Sequence, residues 1–293
     1  MPVRYDITHT TIYRYRQPVT FGEHRVMFRP RDSHDLRVLA TDLDVSPDAS
    51  VRMIQDPLSN SVALVQPLER SDTLQIVCSF TIEHAHSNNL ELPLSPRAET
   101  YPFTYTIEER YDLEHYLRPN HDDPDGELTA WARQFIRTDG TTGTRDLLIA
   151  MNEHIRDNFA YAARDEEGTQ TPQETLALAS GSCRDFALLM IEAARRLGFA
   201  TRFVSGYLYD PALDGDEDSG TVGAGYTHAW LQAYLPGAGW LPFDPTNNLL
   251  GGNRLIRVGV ARDPSQAAPI SGSWFGETDD YLGMSVSVVV QRL

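Results

Sequence analysis

A cysteine, a histidine and an aspartate follow one another in an order that suits thiol chemistry. Cys183 stands in the run GSCRDFA, His228 in YTHAW and Asp244 in FDPT. In thiol acyl transfer, a histidine removes the thiol proton and later returns it to the leaving group, while a carboxylate holds the imidazole tautomer and stabilises its cation. None of the three residues indicates catalysis by itself. A histidine in a strand is commonly a structural residue whose ring is hydrogen-bonded, and an Asp before Pro-Thr commonly forms a turn.

The local pattern places Cys183 at the beginning of a helix. Apolar residues recur at three- and four-residue steps from Phe186 to Leu197, with Ser182 as a candidate N-cap and Gly198 as a candidate stop. Unpaired N–H groups and the positive end of the helix dipole gather at such a start, where they stabilise a thiolate. A buried structural cysteine is the commoner fate of a lone free thiol, so this stretch leaves both interpretations open.

The other two residues belong to a predicted β-hairpin. Alternation around His228, and again before Asp244, predicts two strands joined by the turn PGAG. A four-residue turn would pair Asp244 with Leu231, three positions away from His228. A β-bulge would then be needed, with Pro242 as the candidate position because it cannot donate a ladder hydrogen bond. The sequence leaves the register open.

The residue pattern of the chain before these elements changes twice, from strand-like to linker-like and then to helical. Period-two alternation and turn residues predict an antiparallel β sandwich over residues 1–85, in which Cys78 faces the core. Residues 86–125 are rich in Pro, Asn and Asp and are interpreted as a linker. Helical periodicity then begins, and His154 is expected to be a residue of a helix face rather than a base.

The fold class is therefore α+β, with a second domain over residues 126–293. A capping box at Thr171–Glu174 starts a short helix ahead of the one that begins at Cys183. The last strand, Ser285–Val290, could return to either domain. The acidic stretch Asp210–Ala224 lacks EF-hand spacing, so we expect a solvated loop there, with calcium binding left open.

Composition argues against several classes of partner. The chain has 293 residues and a net charge of −16, so neither nucleic acid nor a membrane surface is expected as a partner. All 25 basic residues are arginine, so no lysine amine is present. No apolar run could span a membrane, no apolar signal core is found, and two distant cysteines do not suggest a disulfide scaffold; a cytoplasmic location is expected.

The motifs resemble the bacterial transglutaminase-like superfamily, whose fold is related to papain. GSCRDFA, YTHAW and FDPT carry the resemblance, FVSGY and RVGVARD extend it, and YDITH is similar to the N-terminal domain that often accompanies it. The resemblance implies a papain-like core in which the cysteine helix packs on an antiparallel sheet. It also implies that Cys183 is the nucleophile, His228 the base and Asp244 the orienting acid, with Tyr161 as an oxyanion donor. Arg184 departs from the glutamine often found at its position.

The resemblance implies a thioester intermediate without fixing how it is resolved. Crosslinking, deamidation and peptide hydrolysis all occur in this superfamily, with an amine or water as the acyl acceptor. We expect hydrolysis of a peptide or amide bond in a peptide or protein substrate, without a cofactor or metal. Three alternatives stay open: a transglutaminase, an inert peptide-binding module, and a zinc site at Cys183, His228 and Asp244. The zinc site lacks the paired-cysteine spacing of structural sites.

Overall fold

The computed structural model describes residues 2–85, 89–164, 168–214, 225–252 and 254–293. Two antiparallel sheets built largely from the N-terminal part of the chain form one body, and a five-stranded antiparallel sheet with helices on one face forms the other. The α+β class and the N-terminal antiparallel architecture predicted from the sequence are confirmed.

The secondary-structure elements are numbered in chain order. The strands are β1 (Val3–Phe21), β2 (His24–Val26), β3 (Leu36–Ser46), β4 (Ala49–Gln55), β5 (Ser61–Pro67), β6 (Ser71–His84), β7 (Thr100–Tyr101), β8 (Thr142–Gly143), β9 (Ala160–Tyr161), β10 (Ser180–Gly181), β11 (Thr201–Leu208), β12 (His228–Leu235), β13 (Gly239–Asp244), β14 (Leu249–Leu250), β15 (Leu255–Ala261), β16 (Ile270–Ser271), β17 (Trp274–Phe275) and β18 (Tyr281–Arg292). The helices are α1 (Ile107–Leu117), α2 (Glu127–Arg133), α3 (Thr144–Asn158), α4 (Pro172–Leu178) and α5 (Cys183–Arg196). Within the described residues, none of these helices is both long enough and apolar enough for a bilayer crossing.

The N-terminal body is a sandwich that the C-terminal segment completes. One sheet has the order β17–β1–β6–β3, with β18 also paired to β1, and the other has the order β16–β2–β5–β4. Strands β1 and β6 alternate buried and half-buried residues, so the sheet presents one apolar face to the sandwich core. The last strand, which the sequence left open between two domains, runs antiparallel to β1, from Tyr5 opposite Arg292 to Tyr15 opposite Tyr281.

The segment interpreted as a linker contains a helix, which corrects the sequence interpretation of residues 86–125. Helix α1 begins after Thr106, whose side chain and that of Glu109 form a capping box. Only Leu113 and Tyr116 of this helix are buried. So narrow an apolar face gives little helical periodicity in the sequence, and the neighbouring prolines strengthened the linker interpretation.

Helix α5 forms the centre of the second body. It packs against the sheet β14–β13–β12–β11–β15, and nearly every residue from Cys183 to Arg195 is buried. Its polar residues are compatible with this burial because they are paired. Arg195 forms a buried ion pair with Glu192, whose carboxylate also accepts the N–H groups of Asn120 and His121.

The other face of this sheet contacts the sandwich. Tyr207 of β11 lies in the sandwich core, where its hydroxyl donates to the carbonyl of Phe28 and lies 2.9 Å from His9 Nδ1. Burial lowers the pKa of His9 from 6.5 to about 3. Asn60 bonds both the N–H and the carbonyl of Val260 in β15. The sandwich therefore supports β11, which pairs with the histidine strand β12, and β15 on the other side of β11.

Candidate active site

The candidate nucleophile is the first residue of α5, as predicted. The helix spans Cys183–Arg196, and Gly198 follows with φ of +87°, a conformation that favours glycine and ends the helix. Ser182 and Asp185 form the capping box, and the Ser182 N–H donates to Asp185 at 2.8 Å. Cys183 is 8% exposed. The first N–H groups of α5 lie beside the thiol. Because such groups have no intrahelical acceptor, they can donate hydrogen bonds to a developing oxyanion.

The candidate base begins β12, at a position where two strands approach closely. His228 lies opposite Gly206 of β11, and a Cβ at Gly206 would lie 2.1 Å from the Ile256 carbonyl oxygen and 2.8 Å from Trp230. The ladder between β11 and β15 also shifts register between Ser205 and this glycine. Gly206 thus allows the strands that position the histidine to pack without a side chain between them.

His228 and Asp244 are hydrogen-bonded, but not through the predicted bulge. The ladder runs regularly from Leu235 opposite Gly239 to Leu231 opposite Phe243, so the turn has three residues rather than four. Continuing this register places Asp244 opposite Trp230, two positions from His228 on the same face. Side chains at such diagonal positions can meet. His228 Nε2 donates to Asp244 Oδ2 at 2.8 Å, and no bulge at Pro242 is needed.

The turn after Asp244 holds the carboxylate in place. Thr246 N–H donates to Oδ1 at 3.0 Å, and the Asn247 side chain donates to Oδ2 at 3.2 Å. Burial alone would raise the pKa of Asp244, but the facing imidazole and these donors outweigh burial and lower it. Asn152 of α3 bonds the side chain of Asn248, which fixes the far end of the turn. The carboxylate is therefore ionised and oriented.

The same contact charges the imidazole. Burial alone would lower the pKa of His228, but the charge of Asp244 and its hydrogen bond, together with the Cys183 thiol, raise it from 6.5 to about 10. Its second nitrogen, Nδ1, is buried and makes no hydrogen bond of ordinary geometry within the described part of the chain. The ring thus has one nitrogen held by a carboxylate and the other available to the nearby thiol.

Tyr161 also lies at the cysteine. Its strand β9 runs parallel to β10, which places Tyr161 opposite Gly181, two residues before Cys183. Tyr161 as a whole is 37% exposed. Burial and then the charge of Cys183 raise the pKa of the Tyr161 hydroxyl, whereas Arg184 lowers it. A protonated hydroxyl beside the thiol is a donor that could serve an oxyanion.

Several other sequence candidates do not join this site. His154 lies among the half-buried aromatic rings of Trp131, Phe135 and Phe159, as a helix-face residue would. Cys78 lies in the sandwich core. Of the acidic stretch considered for calcium, residues 215–224 lie outside the described residues. No group of three His, Cys, Asp or Glu side chains in the described ranges is arranged to hold a metal ion.

Sequence reasoning missed the residues that hold the three candidates in place. Asp185 and Asn247 are the main examples, since each bonds a group within the site rather than reacting. The spacing Ser182-x-x-Asp185 is a capping-box signal, and Asn three residues after Asp244 is turn chemistry. Both signals were present, but only the structure shows which groups they bond.

The chain is similar to two protein families and to several known proteins. Residues 129–245 match the model of the Transglutaminase-like superfamily, and residues 5–83 match that of the Bacterial transglutaminase-like N-terminal region. An uncharacterized protein of Mycobacterium tuberculosis is 28% identical over 98% of this chain and 92% of its own length. An uncharacterized protein of Mycobacterium leprae is 25% identical over 97% and 98%.

A solved structure gives the same fold over the whole chain. It comes from Cytophaga hutchinsonii, is named a "Putative Cysteine Protease", and covers 100% of this chain and 91% of its own, with a TM-score of 0.71 at 20% identity. At that identity the likeness concerns the fold alone. The two family matches lead to one conclusion: the chain belongs to the transglutaminase-like superfamily and carries the bacterial transglutaminase-like N-terminal region in front of its core.

Proposed function

We propose that this protein is a thiol acyl-transfer enzyme that hydrolyses a peptide or amide bond in a peptide or protein substrate. The observation that carries the proposal is the state of His228. Asp244 occupies one ring nitrogen at 2.8 Å, the other is buried beside Cys183, and the pKa of the ring is raised. An imidazole so placed can accept the thiol proton and hold it as a cation.

The reaction would then proceed in two balanced steps. The Cys183 thiolate attacks the substrate carbonyl, while N–H groups at the start of α5 and the Tyr161 hydroxyl donate to the oxyanion. His228 gives its proton to the leaving amine as the C–N bond breaks and a thioester remains. In the second step His228 removes a proton from water, which attacks the thioester, and then returns the proton to the cysteine sulfur as the acid leaves.

A transglutaminase is the second candidate, in which an amine replaces water in the second step. One feature of the chain is compatible with transglutaminase activity. Because the chain contains no lysine, the protein offers no side-chain amine to its own thioester. An enzyme of that kind would not crosslink itself through lysine. A peptide-binding module without chemistry is the remaining alternative.

A cytoplasmic site of action is part of the proposal. Both cysteines of the chain are free and buried, which suits a reducing compartment. Fractionation of cells that express the protein, with detection by a specific antibody, tests this location. Recovery outside the cytoplasmic fraction would contradict it.

The decisive experiment is digestion of a peptide library by the parent and by Cys183→Ala, read by mass spectrometry. Parallel samples contain a fluorescent primary amine. We expect peptides cleaved or deamidated by the parent alone. Incorporation of the amine in place of cleavage would favour the transglutaminase. Identical product lists for the two proteins would refute Cys183 as the nucleophile, and a parent that binds peptides without changing them would be the inert module.

A further inference from the structure

A second buried carboxylate lies at the start of the cysteine helix. Asp185 is fully buried in the same helical turn as Cys183. Its Oδ2 accepts the Ser182 N–H and hydroxyl, each at 2.8 Å, and its Oδ1 accepts the N–H of Gln170 at 2.7 Å. A carboxylate is favourable near a helix N-terminus, but its negative charge there opposes formation of an adjacent thiolate.

Arg164 supplies the compensating charge. Its Nη1 donates to Asp185 Oδ1 at 3.0 Å, and the arginine side chain is 19% exposed. The pair is thus shielded from water on the carboxylate side, where an unmatched charge acts more strongly than on the surface. Arg164 also belongs to the segment that follows Tyr161, so the ion pair joins two parts of the candidate site.

The segment between Tyr161 and Arg164 is attached to the helix start at successive points. Tyr161 lies opposite Gly181, the Ala162 N–H donates to the Gly181 carbonyl at 2.9 Å, and Arg164 bonds Asp185. A Cβ at Gly181 would lie 2.8 Å from Asp185 Cβ, so the strand and the helix start are in tight contact. Losing the arginine contact would free one end of the segment that carries the tyrosine.

We propose that Arg164 and Asp185 form a positioning pair for the nucleophile. The pair holds the Tyr161 segment against the start of α5, and the guanidinium offsets the carboxylate charge that would otherwise disfavour the Cys183 thiolate. This inference rests on the proposed function, because it concerns the reactivity of the same thiol. Neither residue touches the reacting atoms; both act through the residues beside them.

The test measures the alkylation rate of Cys183 by iodoacetamide, an uncharged reagent that needs no substrate. Rates are followed by mass spectrometry from pH 5 to 8 in folded protein. At the pH where the parent reacts at half its maximal rate, we expect Arg164→Gln to react roughly 10- to 50-fold more slowly, as for one unmatched charge about 6–10 Å from the sulfur at an effective dielectric of about 20. Arg164→Lys, which keeps the charge, should stay within about threefold of the parent.

A double variant separates charge from simple loss of structure. Adding Asp185→Asn to Arg164→Gln removes the carboxylate charge that the lost arginine had offset, so the rate should return to within about threefold of the parent. A purely structural role would leave the double variant as slow as the single one. Arg25→Gln is the matched control, because Arg25 of the sandwich strand β2 pairs with Asp56 at 3.0 Å and its side chain is 30% exposed.

The outcomes distinguish this inference from the proposed function. Unchanged alkylation of Arg164→Gln, or a double variant without rescue, overturns the positioning pair while leaving the nucleophile intact. A parent whose Cys183 reacts no faster than the buried Cys78 refutes the nucleophile itself, and the pair with it. Circular dichroism and thermal unfolding confirm that each variant compared is folded.

Discussion

Replacing Asp244 tests whether the candidate acid orients the base through its charge. In Asp244→Asn the His228 hydrogen bond at 2.8 Å keeps an acceptor but loses the negative charge. Bonds to charged groups contribute about 1.5–3 kcal/mol and neutral ones about 0.5–1.5 kcal/mol, so the contact weakens by about 1–1.5 kcal/mol. At about 1.4 kcal/mol per factor of ten, that is a roughly tenfold loss in kcat/KM.

The turn after Asp244 adds a second cost of the Asp244→Asn substitution, which comes from hydrogen bonding rather than from the lost charge. The two carboxylate oxygens accept from opposite sides, Oδ2 from His228 and Oδ1 from the Thr246 N–H at 3.0 Å. An amide has only one oxygen, so its NH₂ group must face one of these donors. An unsatisfied buried donor costs about 1–3 kcal/mol, part of which the turn absorbs by rearranging. We therefore expect a total loss in kcat/KM of about 10- to 100-fold.

Asp244→Ala should lower kcat/KM by about another factor of ten, because it leaves His228 Nε2 and the turn N–H groups buried without an acceptor. The assay is kcat/KM on a peptide identified from the library, with the iodoacetamide rate of Cys183 as a substrate-free readout. Asp35→Asn, another partly buried carboxylate but outside the site, should match the parent. If Asp244→Ala were folded and as active as the parent, Asp244 would be a turn residue and the site a Cys–His pair.

Three further results are expected. Iodoacetamide should modify Cys183 quickly and Cys78 slowly by peptide mass spectrometry, because burial raises the pKa of the Cys78 thiol to about 12; equal rates would contradict this. Gly206→Ala should lower the free energy of unfolding in urea by about 1–3 kcal/mol. Gly252→Ala should leave this free energy unchanged, because a Cβ at Gly252 has no atom within 4 Å. An equal decrease in the free energy of unfolding for both variants would refute the steric reasoning. The ring of His9, whose folded pKa is about 3, takes up a proton near pH 6.5 only when unfolded. Its contribution to stability should therefore fall by about 2 kcal/mol from pH 7 to pH 5. The free energy of unfolding in urea of His9→Gln should be less pH-dependent than that of the parent by this amount, and an unchanged pH dependence would contradict the assignment.

The sequence predicted the helix of the candidate nucleophile because its signals are local. Apolar periodicity, a serine before the first turn and a glycine after the last turn lie within the segment Ser182–Gly198, and the observed helix begins and ends as they predict. The capping box at Thr171 was likewise found where expected. Helix α1 shows the limit of such signals, since only two of its residues are buried and its apolar periodicity is correspondingly weak.

The hairpin register could not be obtained from sequence because one residue in a turn decides it. The stretch PGAG suggested four turn residues, whereas Gly239 already pairs with Leu235 and leaves three. Shifting the register by one residue brings Asp244 onto the same face as His228. The position of β18 is likewise a long-range property, since its pairing with β1 joins the two ends of the chain.

The three candidate residues share a structural position that explains how they meet. Cys183 is the first residue of α5, His228 the first of β12 and Asp244 the last of β13. At such ends the chain leaves its ladder or helix, so side chains can converge, and backbone N–H groups remain available for the carboxylates and an oxyanion. The remainder of the fold then has to keep these ends fixed. The buried helix α5, the sandwich behind β11 and β15, and the turn after Asp244 each hold one of them, which is why variants far from the thiol are expected to change its reactivity.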